Sequence, residues 1–221
     1  MERRIDIISI PYLSITTGEQ WLLEGEVRRV DGVGTTVILC HPNPLYGADM
    51  DNNVIDAFFH GLQDWSAFRF NFGGVGRSQG QFEDGAGEVQ QVSAAIDFAR
   101  KLAPEDTLHV VGYSFGAITA AVAALGRNDV NSFTGIALPF SLYPDLTRRM
   151  FDLQAASHIQ LVLIAGTRDE FTSPASFEAW AARFHGPVEK VVMEGATHFF
   201  DGYEARLVAA TRKAILQGTS K

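Results

Sequence analysis

Gly112-Tyr113-Ser114-Phe115-Gly116 is the stretch on which the reading of this chain turns. It has the form Gly-x-Ser-x-Gly. An apolar, β-branched run precedes it, Thr107-Leu108-His109-Val110-Val111, and a small-residue run follows from Ala117 to Leu125. Strand, sharp turn and helix form the setting of a nucleophile elbow, in which the serine stands exposed at the top of a sheet. A glycine on each side leaves room for so tight a turn.

The rest of the chain supplies the sheet. Thr35 to Cys40, Ser66 to Asn71, Phe133 to Leu138, Gln160 to Ala165 and Val188 to Met193 read as strands. Helices are expected over Asn52–Leu62, Ala86–Leu102, Pro174–Phe184 and Tyr203–Leu216. The second of these carries Val89, Val92, Ile96 and Ala99 as an inner stripe at helical spacing. Repeated strand–helix alternation predicts an α/β fold, a mostly parallel sheet with helices on both faces. Residues 5–30 read instead as an edge hairpin, because Trp21 to Val30 alternates apolar and charged positions. One domain is expected over 1–221, its catalytic core over about 35–217. The Phe140–His158 connection has room for one short helix around Leu146–Phe151, so a minimal cap or none is expected.

Composition narrows the function classes. The 221 residues are 46% hydrophobic, with 21 glycines, as a buried sheet with many turns requires. One cysteine, Cys40, leaves no intrachain disulfide and no cysteine-based metal cluster. Eighteen basic against 26 acidic residues give a net charge of −8, which disfavours nonspecific binding to nucleic acid. The uncharged stretch Thr107–Gly126 is divided by His109, Gly112, Ser114, Gly116 and Thr119, so no membrane span is expected. Asp6 and Pro11 interrupt any secretory apolar region, and cytoplasmic residence is the default expectation.

A serine hydroxyl needs a base, and the base needs an orienting acid. On an α/β-hydrolase sheet they follow in the order serine, acid, histidine, each after a strand. Asp169 follows the strand ending at Ala165, and His198 follows the strand ending at Met193. Ser114, Asp169 and His198 are therefore the expected catalytic residues, with Glu170 as the competing acid. Asp201 is expected to order the histidine loop. His41 is expected to brace its own loop, and His109 to be structural. His60, His158 and His185 lie away from the expected catalytic edge.

Attack on a carbonyl develops negative charge on its oxygen, which backbone N–H groups must meet. Phe115 N–H is the natural first donor. The second is expected in the loop His41-Pro42-Asn43-Pro44-Leu45-Tyr46-Gly47. Prolines have no N–H, so Asn43 is the donor between Pro42 and Pro44. A glycine-rich loop, Phe72 to Gly80, fits neither Gly-x-Gly-x-x-Gly nor a P-loop, so no cofactor is expected. Its Arg77 is expected to anchor Glu83, Asp84 or Glu88, or else to face substrate. Loop position and apolar character nominate Leu45, Tyr46, Met50, Phe115, Phe140, Leu142, Phe171 and Phe199 as pocket walls.

Together, residues 41–47, the run Arg69-Phe70-Asn71-Phe72-Gly73-Gly74-Val75-Gly76-Arg77-Ser78, the elbow, Gly166–Asp169 and Gly195–Phe200 resemble a compact, lidless group of the α/β-hydrolase superfamily. It is the group of dienelactone-hydrolase-like and serine-esterase-like proteins. The likeness spans about residues 30–216. It implies a nucleophile at Ser114, an acid at Asp169, a base at His198 and oxyanion donors at Asn43 and Phe115. The chain departs from many members at Gly73, where they carry arginine or another polar residue. It departs from dienelactone hydrolase itself in having serine rather than cysteine as nucleophile.

The expected activity is cofactor-independent hydrolysis of a small or medium carboxylic ester through an acyl-enzyme. Thioester or amide hydrolysis by the same triad, and a non-catalytic binding protein on the same fold, are the alternatives. The expected partner is a small-molecule ester or thioester. The exposed side of the N-terminal hairpin is a candidate strand-pairing contact for a homo-oligomer.

Overall fold

The computed structural model describes residues 4–218. Residues 1–3 and 219–221 of the expected domain lie outside the described residues. Eight strands form one sheet: β1 (Arg4–Leu13), β2 (Gln20–Arg29), β3 (Thr35–Cys40), β4 (Ser66–Phe70), β5 (Thr107–Tyr113), β6 (Ser132–Ile136), β7 (Gln160–Gly166) and β8 (Val188–Met193). Their order across the sheet is β1-β2-β4-β3-β5-β6-β7-β8. The β1–β2 and β2–β4 pairs are antiparallel, and every other pair is parallel.

The inner parallel strands β3, β5 and β7 read as apolar runs because both faces are covered, whereas the edge strand β8 carries Glu189 and Lys190 and is largely exposed. On one face lie α2 (Ala86–Leu102), α3 (Phe115–Leu125), α4 (Pro144–Gln154) and α5 (Pro174–Ala181). On the other lie α1 (Asn53–Gly61) and α6 (Glu204–Gly218). The first face centres on a run of aromatic rings, Phe70, Phe72 and Phe115, each fully buried. Burial of one such ring contributes about 1.5–3 kcal/mol. Every residue of α3 is buried, so the helix that opens at the serine is a core element. Two backbone N–H groups at the start of α2, those of Glu83 and Gly85, donate to the buried Glu88 carboxylate at 2.8 and 2.7 Å.

The hairpin alternates as its sequence predicts. Ile10, Tyr12, Trp21 and Leu23 point inward, while Ile5, Ile7 and Leu13 face out. β1 runs from Arg4 through Pro11 to Leu13. An outermost strand has only one neighbour to satisfy, which makes the missing proline donor tolerable. The Phe140–His158 connection builds α4 alone, longer than the segment Leu146–Phe151. α4 packs on α3 and leaves the serine uncapped.

Candidate active site

The elbow begins where β5 runs out. Ser114 has φ 53° and ψ −119°, a backbone conformation rarely adopted by residues other than glycine. Such strain costs on the order of 1–3 kcal/mol and survives only where the surroundings impose it. Here they do. A Cβ on Gly112 would collide with the Gly116 carbonyl and Ala117, and one on Gly116 with the carbonyls of Cys40 and His41. The Ser114 N–H is held by the Ile136 carbonyl at 2.9 Å.

Ser114 Oγ lies 2.9 Å from His198 Nε2, and His198 Nδ1 lies 3.0 Å from Asp169 Oδ2. Asp169 Oδ1 accepts the N–H groups of Phe171 and Thr172 at 2.8 and 3.0 Å. One carboxylate oxygen thus fixes the turn and the other faces the imidazole. The loops after β7 and β8 meet because Gly166 has no side chain: a Cβ there would strike the Ala196 carbonyl. Ser114, His198 and Asp169 have the arrangement of a catalytic triad.

Glu170 has a different place from its neighbour. Its Oε2 accepts the backbone N–H of His198 at 3.1 Å. The hydroxyl of Tyr113 donates to the His198 carbonyl at 2.8 Å. His198 is therefore held at both ends of its backbone, and its ring packs among Tyr113, Phe171 and Phe199. Burial, with the charges of Asp169, Asp201 and Glu170, pushes the Tyr113 hydroxyl pKa up, so the tyrosine remains a donor. Neither Tyr113 nor Glu170 was assigned this task from sequence. The only signal was their adjacency to Ser114 and Asp169.

The loop after β3 is anchored from beneath. His41 is fully buried. Its Nε2 lies 3.1 Å from the Phe72 N–H, which can only donate, so the ring proton is on Nδ1 and faces the Pro42 carbonyl at 2.7 Å. Burial holds its pKa down at about 4 and keeps the ring neutral. Asn43 Oδ1 accepts Leu45 N–H at 2.8 Å, and Asn43 Nδ2 donates to Tyr143 Oη at 2.8 Å. Among the described residues, neither Asn43 N–H nor Phe115 N–H has an acceptor within the protein. The Phe115 side chain lies wholly in the core against Phe72, Phe82 and Tyr143.

A cavity of about 680 Å³ opens over the serine. Tyr46, Leu142, Phe171 and Phe199 line it, with Pro42, Asn43, Gly47, Ala48, Asn52, Tyr113, Pro139 and Tyr143. Five residues nominated from sequence do not, the core-buried Phe115 among them. Leu45 is turned to solvent on the short 3-10 turn Pro44–Tyr46. Met50 is buried below the loop, its N–H on Asn71 Oδ1 and its carbonyl on Arg69. Phe140 is buried in a stack with Phe151 and Trp180. Arg77 binds Glu24, through its Nε at 2.7 Å and its own N–H at 2.7 Å, rather than Glu83, Asp84 or Glu88, and is not among the residues lining the cavity. The glycine-rich loop lies along β2, which carries Glu24. Gly73 is also enclosed: a Cβ there would lie 2.9 Å from the Gln81 carbonyl.

The other titratable groups fall outside the cavity. Asp201 Oδ1 lies 3.5 Å from Asn53 Nδ2, which also donates to the Phe199 carbonyl at 3.1 Å. His109 is buried, its Nδ1 2.7 Å from Ser132 Oγ, with burial holding its pKa down at about 4. His60 pairs with Asp56 on α1. His158 and His185 flank the starts of β7 and β8, at the end of the strands opposite the serine. Among the described residues no cluster of His, Cys, Asp or Glu is arranged to hold a metal ion. No described helix is long and apolar enough to cross a membrane.

Residues 34–218 match the alpha/beta hydrolase domain family, and the chain belongs to it. With its elbow serine, histidine and aspartate in place, the site has the form of a serine hydrolase. An alpha-beta serine hydrolase homologue from Coxiella burnetii is similar, with 29% identity, TM-score 0.80, and 93% of this chain and 96% of that one covered. An α/β serine hydrolase without a lid from Xanthomonas campestris is 26% identical, with TM-score 0.79, covering 96% of this chain and 94% of that one. An uncharacterized protein of Rickettsia prowazekii is 29% identical over 192 residues, 83% of this chain and 79% of its own length.

Proposed function

We propose that the protein hydrolyses small or medium carboxylic esters through an acyl-enzyme at Ser114, with no cofactor. The single observation that carries this reading is the chain of contacts from Ser114 Oγ to His198 Nε2 at 2.9 Å and from His198 Nδ1 to Asp169 Oδ2 at 3.0 Å. In this mechanism Ser114 Oγ attacks the ester carbonyl while His198 Nε2 takes its proton. Asp169 keeps the Nδ1 proton in place and stabilises the imidazolium. The N–H groups of Asn43 and Phe115 receive the oxyanion; their lack of internal acceptors supports this role. His198 then protonates the departing alcohol, and water attacks the acyl-enzyme by the reverse path. The uncapped cavity, walled by Leu142, Phe171 and Phe199, suits an apolar group of modest size.

Intact-mass detection of fluorophosphonate labelling tests this reading. The expected result is single-site labelling of the wild type, abolished in Ser114→Ala and strongly slowed in His198→Ala, with Ser114-dependent turnover of an ester panel. A folded wild type that neither labels nor turns over any ester defeats the proposal in favour of a binding protein.

A further inference from the structure

Tyr143 precedes α4 and lines the cavity beside Asn43 and Ser114. The direction of its hydrogen bond is settled two hydrogen bonds away. The backbone N–H of Leu45 can only donate, and it donates to Asn43 Oδ1 at 2.8 Å. That assigns Asn43 Nδ2 to the opposite side of the amide, where it meets Tyr143 Oη at 2.8 Å. An amide NH2 is also donor-only, so Tyr143 Oη is the acceptor of this bond. The phenolic proton must therefore point elsewhere, and among the described residues it has no acceptor.

The chain of donors runs Leu45 N–H, Asn43 Nδ2–H, Tyr143 Oη–H, and it ends in the cavity. Each accepted bond polarises the next donor, so the terminal O–H is a better donor than an isolated phenol. The ring is held by packing against Phe115, with centroids 5.3 Å apart, on the wall of the cavity that Ser114 also lines. Burial raises the Tyr143 pKa, so the proton is retained at neutral pH. Asn52 has its side-chain acceptor similarly occupied by Val54 N–H at 3.1 Å. The cavity thus presents the Tyr143 hydroxyl as an uncharged donor, while each asparagine oxygen already accepts one backbone N–H.

We infer that Tyr143 Oη–H is a specificity-determining donor that recognises a second oxygen acceptor in the substrate, an ether or carbonyl oxygen outside the scissile carboxyl group. The substrate class is an uncharged, oxygen-bearing ester rather than a plain alkyl ester. This rests on the ester-hydrolase reading above. A site built to satisfy a donor loses affinity for an analogue that leaves the donor unpaired.

Two pairs of esters matched in size test it on either side of the bond. 4-Nitrophenyl methoxyacetate against 4-nitrophenyl butyrate varies the acyl group. 2-Methoxyethyl butyrate against butyl butyrate varies the alcohol. In the wild type, the kcat/KM ratio of oxygenated to all-carbon ester should exceed the ratio of their hydroxide-catalysed rates in at least one pair. Tyr143→Phe keeps the ring and should lower that ratio about tenfold. A merely structural tyrosine would slow both members alike and leave the ratio unchanged. Should Tyr143→Phe fail to fold, the wild-type ratio still decides. Ratios equal to the hydroxide ratios in both pairs, or unmoved by Tyr143→Phe, overturn the assignment of Tyr143 alone. Absence of Ser114-dependent turnover of all four esters overturns the hydrolase reading and this assignment with it.

Discussion

Glu170 Oε2 accepts the backbone N–H of His198 at 3.1 Å, while the imidazole of the same histidine faces the adjacent residue, Asp169. Two neighbouring carboxylates thus serve one residue in different ways. Asp169 acts on the ring, and Glu170 on the chain that carries it. A carboxylate on a backbone N–H needs only an acceptor atom, whereas one on an imidazole must also balance charge as the ring is protonated.

These tasks predict different mutational profiles. Glu170→Gln retains an acceptor oxygen and should keep kcat within about threefold, while Glu170→Ala should lower it by about tenfold through misplacement of the ring. Asp169→Asn presents a donor to the imidazole and favours the wrong tautomer, so kcat should fall by about ten-thousand-fold. Steady-state kinetics on one activated ester separates them. Equal losses in Glu170→Gln and Asp169→Asn would contradict the division of roles.

The elbow glycines predict a stability effect of known sign. A Cβ at Gly116 would meet two backbone carbonyls, those of Cys40, which ends β3 in its pairing with β5, and of the fully buried His41 that follows it. Gly116→Ala should destabilise by about 3 kcal/mol or more, the upper range for overpacking. Gly126 closes the same helix, yet its Cβ would meet nothing nearer than Leu153 Cδ2 at 3.5 Å. Gly126→Ala should therefore lie within about 0.5 kcal/mol of wild type. Urea unfolding of both variants measures the contrast.

The chain order of Ser114, Asp169 and His198 was readable because Ser114 and Asp169 each follow an apolar run that becomes a buried strand, β5 and β7, while His198 follows the β-branched edge strand β8. The glycine spacing around Ser114 was readable for the same local reason. What sequence left open depends on where side chains point once a strand has ended. Phe140 and Leu142 are two residues apart after β6, yet one stacks in the core and the other walls the cavity. Contacts distant along the chain were equally hidden. Arg77 meets Glu24 across 53 residues, and Asn43 meets Tyr143 across 100. The one local hint for Tyr143 was Pro144 behind it, which marks a helix start at the loop end of β6.

The charge around the cavity predicts discrimination against anions. Among the described residues no lysine or arginine lines it, and the carboxylates of Glu170 and Asp201 stand beside the loop that carries His198. Arg168 lies in the Asp169 turn but is exposed and outside the lining. An anionic ester such as 4-nitrophenyl hemisuccinate should show kcat/KM at least about tenfold below that of 4-nitrophenyl butyrate at low salt. The gap should narrow as salt screens the carboxylates. Asp201→Asn should narrow it further. A gap that salt leaves unchanged would assign the preference to shape rather than charge.

Two histidines buried in neutral form predict how stability responds to acid. His41 and His109 have their pKa values held down at about 4 by burial, against 6.5 for the free side chain. Between those values the unfolded chain binds protons that the folded protein refuses, so stability rises with pH there and is lost as pH falls from 6.5 towards 4. Each histidine should cost about 2 kcal/mol between pH 7.5 and pH 5. Glu24 and Glu83, whose hydrogen-bonded carboxylates are held below their usual pKa, add a loss of the same sign at lower pH. Glu88, pushed up by burial, acts in the opposite direction. Urea midpoints followed by tryptophan fluorescence measure the slope. His109→Gln should remove about half of the histidine contribution between pH 7.5 and 5, because glutamine does not titrate. A slope that this variant leaves intact would show that His109 is not a source of the acid sensitivity.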